Sequence, residues 1–148
     1  KLDIAIVLEK IIFSLKKVYF DKQIDFSFES KSTCLLACEE EDMYEIAGNL
    51  LDNASKWCQN KVRVSLIQLE KSQGQDFSIM LQIEDDGAGI AEDKLNDILQ
   101  RGTRADENVQ GHGIGMAVVN ELTSLLGGKL IGGRSELLGG MKWQVYLP

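Results

Sequence analysis

Between Glu45 and Trp57 the chain reads Glu-Ile-Ala-Gly-Asn-Leu-Leu-Asp-Asn-Ala-Ser-Lys-Trp. The apolar residues in this stretch recur at helical spacing, which predicts a helix. At roughly 100° per residue, with Glu45 at zero, Asn49 falls at about 40°, Asn53 at about 80°, Lys56 at about 20° and Asp52 at about −20°. Met43, Ile46, Leu50, Leu51, Ala54 and Trp57 cover roughly 100° to 240° on the same count. One narrow stripe thus holds a carboxylate, two amides and an ammonium, and the opposite face is core. Asn is a poor mid-helix residue because its amide competes for the backbone, so two aligned Asn suggest a face with chemistry to do. Amide and carboxylate oxygens suit Mg²⁺, which takes few protein ligands alongside substrate phosphates. Lys56 suits a phosphate oxygen. By itself the stripe is equally well an ordinary polar helix face.

Two glycine motifs follow. Asp85-Asp-Gly87-Ala-Gly89-Ile90 comes directly after an alternating strand pattern. A carboxylate at a strand end, with glycines beside it, lets backbone approach a flat ligand while Asp accepts from an amino group. An Asp-Gly turn reads equally well there. Gly111-His-Gly113-Ile-Gly115 leads into an apolar-periodic segment, so it opens a helix, and a helix N-terminus is a natural phosphate site. A loop precedes it instead of a strand, which excludes the dinucleotide-binding fingerprint.

The elements that must position these residues can be taken in order. Residues 3 to about 21 show an amphipathic helical pattern through Ile4, Val7, Leu8, Ile11, Ile12, Leu15, Val18 and Tyr19. Ile24 to Phe28 alternates as a strand, and Thr33 to Cys38 reads as a second short one. Glu39 to Asp42 supplies negative charge for the first turn of the central helix. Val62 to Leu69 and Phe77 to Ile83 read as strands joined by the polar link Lys71–Gln75, an antiparallel hairpin. Residues 92 to 100 suit a short helix, and Gly102 to Gly113 a mobile loop. A helix resumes from Ile114 to Leu126, stopped by Gly127-Gly128. Leu130-Ile131 and Met141 to Leu147 close the chain as strands. This order predicts an α+β sandwich, a mixed sheet with helices on one face.

At 148 residues the chain is expected to be a single domain over 1–148, with room for a core. Its net charge of −7 argues against a nucleic-acid binder. No apolar run approaches the roughly 18 residues of a membrane span. Cys34, Cys38 and Cys58, odd in number and within apolar patterns, read as reduced thiols in a cytosolic setting. The start at Lys1, without Met or a signal pattern, is expected to mark a fragment of a larger protein.

The combination of polar-striped helix, Asp-x-Gly-x-Gly, loop, and Gly-x-Gly-x-Gly opening a helix resembles the GHKL ATPase superfamily. Within it the likeness is to the catalytic ATP-binding domain of bacterial sensor histidine kinases, and it spans nearly the whole chain. Asn49 to Ala54 is similar to the N box, Asp85 to Gly89 to the G1 box and Gly111 to Gly115 to the G2 box. Gly48 to Trp57 and Arg101-Gly-Thr-Arg104 resemble the PhoQ-type branch. The resemblance implies a Bergerat fold, mostly antiparallel, with ATP between the central helix and a mobile lid. It implies that Asp85 accepts the adenine amino group while Gly87, Gly89 and Ile90 border the base. Asn53, with Asn49, would hold Mg²⁺; Lys56, Arg101 and Arg104 would meet phosphate charge; and Gly111, His112, Gly113, Ile114 and Gly115 would border the phosphates. Glu45 is the implied general base or water-positioning group. Trp57 would stack near the adenine, or else pack in the core.

His112 stands where the PhoQ type has Gln, and the phenylalanine of the usual F box is missing from Ile98 to Gly102. The function implied is transfer of the γ-phosphoryl of Mg·ATP to a histidine on the parent's own dimerisation domain. A response-regulator receiver domain would be the next partner, and the parent a homodimer at a bacterial inner membrane with this part in the cytoplasm and no membrane contact of its own. Rival readings are a nucleotide-gated clamp of the gyrase, MutL or HSP90 kind and an anti-sigma-type serine kinase. The ending at Pro148, just after a strand, favours the histidine kinase.

Overall fold

A computed structural model describes residues 1–70, 76–100 and 114–148. The expected Gly102–Gly113 loop and the Lys71–Gln75 link lie outside them. Strand β1 (Leu2–Asp3) leads into helix α1 (Ile4–Val18), followed by a 3₁₀ turn over Phe20–Lys22 and strands β2 (Asp25–Ser30) and β3 (Leu35–Leu36). Helix α2 (Glu40–Trp57), the hairpin β4 (Lys61–Gln68) and β5 (Ile79–Asp85), helices α3 (Glu92–Gln100) and α4 (Ile114–Leu125), and strands β6 (Lys129–Arg134) and β7 (Met141–Leu147) complete it. The main sheet runs β2-β4-β5-β7-β6; only β2–β4 is parallel. The α+β reading and the antiparallel hairpin hold.

Register explains the layering. Phe28, Val64, Ile83, Trp143 and Gly132 stand in one row across the five strands, on the face that meets the helices. A Cβ on Gly132 would come 2.7 Å from the Trp143 ring, so glycine here makes room for the largest side chain of the core. Ile4, Leu8, Met43, Ile46, Leu50 and Leu51 cover this face from α1 and α2. Full burial of each such side chain is worth roughly 1.5–3 kcal/mol relative to exposure. The opposite face is polar: Glu84 accepts from the Ser135 hydroxyl at 2.6 Å and faces Arg63 at 3.5 Å, and Gln144 donates to Gln82 at 2.8 Å.

Several boundaries differ from the sequence pattern. Asp3 is the N-cap of α1, accepting from the Ala5 N–H at 3.1 Å. Val18 is exposed instead of joining the apolar face, because α1 ends there and the chain tightens into the 3₁₀ turn. The strand expected over Thr33–Cys38 shrinks to two residues, because its partner is the two-residue β1 and not the main sheet.

Candidate functional site

Helix α2 places its stripe as the spacing predicts. Glu45, Asp52 and Lys56 are exposed and Asn49 and Asn53 half-buried, while Ile46, Ala47, Leu50, Leu51 and Ala54 are buried on the other side. The Asn49 amide donates to the Glu45 carbonyl at 2.7 Å and reaches the Glu45 carboxylate at 3.4 Å. The Asn49 Oδ1 faces the start of α4, where a Cβ on Gly115 would come 3.1 Å from it. Trp57, expected either to stack on a ligand or to fill the core, is 39% exposed and lines a cleft.

Asn53, Trp57, Asp85, Ala88, Gly89, Ile90 and Met141 line that cleft. Register β5 against β4 pairs Asp85 with Val62, which turns the Asp85 side chain toward the helix layer at the strand's end. It is only 4% exposed. Both described donors to it, the N–H groups of Gly87 at 2.9 Å and Met141 at 3.2 Å, meet Oδ1. Burial pushes its carboxyl above the usual range, with these two N–H groups pulling the other way. Among the described residues, no donor meets Oδ2.

The neighbouring Asp86 does different work. Its Oδ1 accepts from the N–H groups of Gln59, Asn60 and Lys61 at 2.8, 3.1 and 3.1 Å, tying the turn after α2 to the end of β5. Gly87 fits against the end of α2: a Cβ there would lie 2.3 Å from the Trp57 carbonyl. Gly89 has φ +77°, the left-handed region that favours glycine. Sequence reasoning missed Gly140 and Met141. A Cβ on Gly140 would come 2.4 Å from Asp85, so the β6–β7 turn can close on the carboxylate only through glycine. Met141 lines the cleft and donates to Asp85, a contact across 56 residues with no local sequence signal.

The structure therefore brings together Asn53, Trp57, Asp85, Gly89 and Ile90 around one cleft, with Gly87 behind them and Lys56, Asn49 and Glu45 on the exposed face of the same helix. Gly115, the second residue of α4, lies beside Asn49. Arg101, Arg104, Gly111, His112 and Gly113 lie outside the described residues, and of Ile114 only its place at the start of α4 is described. Among the described residues no group of three or more His, Cys, Asp or Glu side chains is placed to hold a metal.

Known proteins resemble this chain in sequence and in fold. The chain is 41% identical over 113 residues to the sensor protein kinase CarS of Pseudomonas aeruginosa, covering 76% of this chain and 24% of that protein. It is 36% identical over 142 residues to the virulence sensor histidine kinase PhoQ of Salmonella typhimurium, covering 96% of this chain and 28% of that protein. It thus spans about a quarter of the length of these relatives. The mycobacterial sensor histidine kinase MprB superposes with a TM-score of 0.82 at 23% identity, covering 99% of this chain and 95% of that one. The ATP binding domain of PrrB from Mycobacterium tuberculosis gives 0.78 at 22%, covering 99% and 94%. The fold is thus the Bergerat-type sandwich of histidine-kinase catalytic domains. The family model described as histidine kinase-, DNA gyrase B- and HSP90-like ATPase matches residues 38–148, and the chain belongs to that family.

Proposed function

We propose that this chain is the nucleotide-binding catalytic domain of a two-component sensor kinase, binding Mg·ATP and delivering its γ-phosphoryl to a histidine on the dimerisation domain of the same parent. The observation that carries the reading is the cleft in which a buried carboxylate, Asp85, faces Asn53 and Trp57 on α2. Asp85 accepts the exocyclic amino group of adenine through Oδ2, and Trp57 covers the base. A guanine presents a carbonyl oxygen at that position, which the carboxylate repels, so the cleft selects ATP over GTP.

The donor set fits Mg²⁺ in kind: Asn49 and Asn53 offer neutral amide oxygens, the hard ligands that suit a cation sharing its sphere with phosphates. When bound, the ion neutralises phosphate charge. Lys56 lies on the same stripe and meets phosphate oxygen, and the N-terminus of α4 adds its dipole beside Asn49. Glu45, held by the Asn49 amide, orients the incoming histidine as general base or positioning group. Arg101, Arg104, Gly111, His112, Gly113, Ile114 and Gly115 belong to the phosphate side in this reading. The mechanism is positioning plus charge neutralisation, the needs of phosphoryl transfer. Relatives named as sensor kinases support a sensor-kinase parent; in this reading that parent is a homodimer at the inner membrane that passes the phosphoryl to a receiver domain, with this part in the cytoplasm. Among the described residues, no helix is long and apolar enough to cross a membrane.

The test is titration calorimetry of Mg·ATP into the chain and into Asn53→Ala, with transfer measured to the parent's histidine domain. Asn53→Ala keeps its melting midpoint and loses Mg-dependent affinity by at least about tenfold, roughly 1.4 kcal/mol. Unchanged affinity and transfer would remove Asn53 from the metal site.

A further inference from the structure

Lys22 belongs to the 3₁₀ turn after α1, far in sequence from every motif of the cleft. The turn is fixed by Gln23, whose φ of 54° ends it and whose side-chain amide donates to the Phe20 carbonyl at 2.7 Å. From there the half-buried Lys22 ammonium donates to the carbonyls of Ser55 and Lys56, at 2.8 Å each. These are among the last carbonyls of α2, which have no partner within their own helix, and the helix dipole places negative charge there. One helical turn earlier, the Tyr19 hydroxyl donates to Asp52 at 2.8 Å. On the other side of the same helix end, the Trp57 carbonyl sits where a Gly87 side chain would be. The end of α2 is thus gripped between Lys22 and the Gly87 backbone, and Asn53 and Trp57 project from it into the cleft.

We infer that Lys22 is a positioning residue for the nucleotide: it fixes the end of α2 so that Trp57 and Asn53 stand in register with Asp85. This rests on the proposed nucleotide reading of the cleft. Lys22 touches neither the cleft nor a reacting group; it acts through the helix end it caps. Its charge also reaches the site. The Asp85 carboxyl is raised by burial, and beyond the N–H groups of Gly87 and Met141 it is Lys22 that pulls it down, against Asp86. The Cys58 thiol, which follows α2, is raised by burial and lowered first by Lys22.

The experiment measures the dissociation constant of a non-hydrolysable Mg·ATP analogue for the unsubstituted chain, Lys22→Met, Lys22→Gln and Lys22→Arg. Each is assayed well below its own melting midpoint, where a loss of global stability leaves the folded fraction, and so the apparent affinity, unchanged. Lys22→Met is expected to bind about tenfold more weakly. Lys22→Arg, which can still donate charged hydrogen bonds to both carbonyls, should stay within about threefold of the unsubstituted chain. Lys22→Gln keeps a donor without the charge and falls between them; it carries the comparison if the methionine variant does not fold. Folded Met and Gln variants with undiminished affinity would overturn the inference, as would an arginine variant as weak as the methionine one, since packing and not capping would then be at stake. If the unsubstituted chain itself fails to bind the analogue, the nucleotide reading falls.

Discussion

Two adjacent carboxylates in this fold show how little residue type alone decides. Asp85 and Asp86 follow one another at the end of β5, so the pleat sends them to opposite sides. Asp85 enters the helix layer and reaches the cleft, while Asp86 turns back and collects the N–H groups of Gln59, Asn60 and Lys61. Hydrogen bonds to a charged acceptor are the stronger kind, and here three of them hold the turn between α2 and β4. Asp86→Ala leaves those N–H groups to water. It is expected to cost about 1–3 kcal/mol in urea unfolding, with nucleotide affinity lowered far less than by Asn53→Ala. A variant that loses affinity by orders of magnitude at unchanged stability would make Asp86 a ligand-binding group instead.

At the scale of elements, the cleft is made where three backbones converge: the end of α2, the end of β5 and the β6–β7 turn. They approach more closely than side chains allow. At Gly87 the obstacle is the Trp57 carbonyl at 2.3 Å, and at Gly140 it is Asp85 and the Gly87 amide, at 2.4 and 2.6 Å. Backbone atoms cannot rotate out of the way, so Gly87→Ala must separate α2 from β5. Overpacking of this kind costs about 1–3 kcal/mol, and for a chain of this size each kcal/mol lowers the melting midpoint by roughly 2–4 °C. Gly133, on β6, faces open space: a Cβ there would meet nothing within 4 Å, so Gly133→Ala should leave stability within about 0.5 kcal/mol. Scanning calorimetry on the pair separates a packing requirement from a general intolerance of alanine. Equal melting midpoints would mean that α2 can shift without cost.

At the scale of the whole molecule, legibility follows the range of the interaction. The apolar periodicity of α1 and α2, the alternation of the β4–β5 hairpin and the glycine stop after α4 are local patterns, and each gave its element nearly in place. The stripe from Glu45 to Lys56 was readable for the same reason. Met141 and Gly140 close on Asp85 from the far end of the chain, and Lys22 caps α2 from another element; a strand methionine or a turn lysine carries no local mark of that. Burial of Asp85 is likewise a property of the assembled layers, and it makes a global prediction. A carboxyl raised by burial binds its proton more tightly folded than unfolded, so stability falls as pH rises from the unfolded value through the folded one, and that cost persists at neutral pH. Asp85→Asn retains an oxygen for the Gly87 and Met141 N–H groups without a charge to desolvate. Free of nucleotide, the variant should melt above the unsubstituted chain at pH 7, the difference vanishing below the ordinary carboxyl value of 3.8. With Mg·ATP at about 100 times its dissociation constant the unsubstituted chain gains about 2.7 kcal/mol, roughly 5–10 °C, and responds less to GTP. The variant should lose that preference, and the unsubstituted chain's own ATP response should fade as acid protonates Asp85. A variant that melts lower at pH 7 would mean the ionised carboxylate anchors the β6–β7 turn. Higher stability with lost ATP preference would mean that the fold carries a buried charge at its own expense, for the ligand's sake.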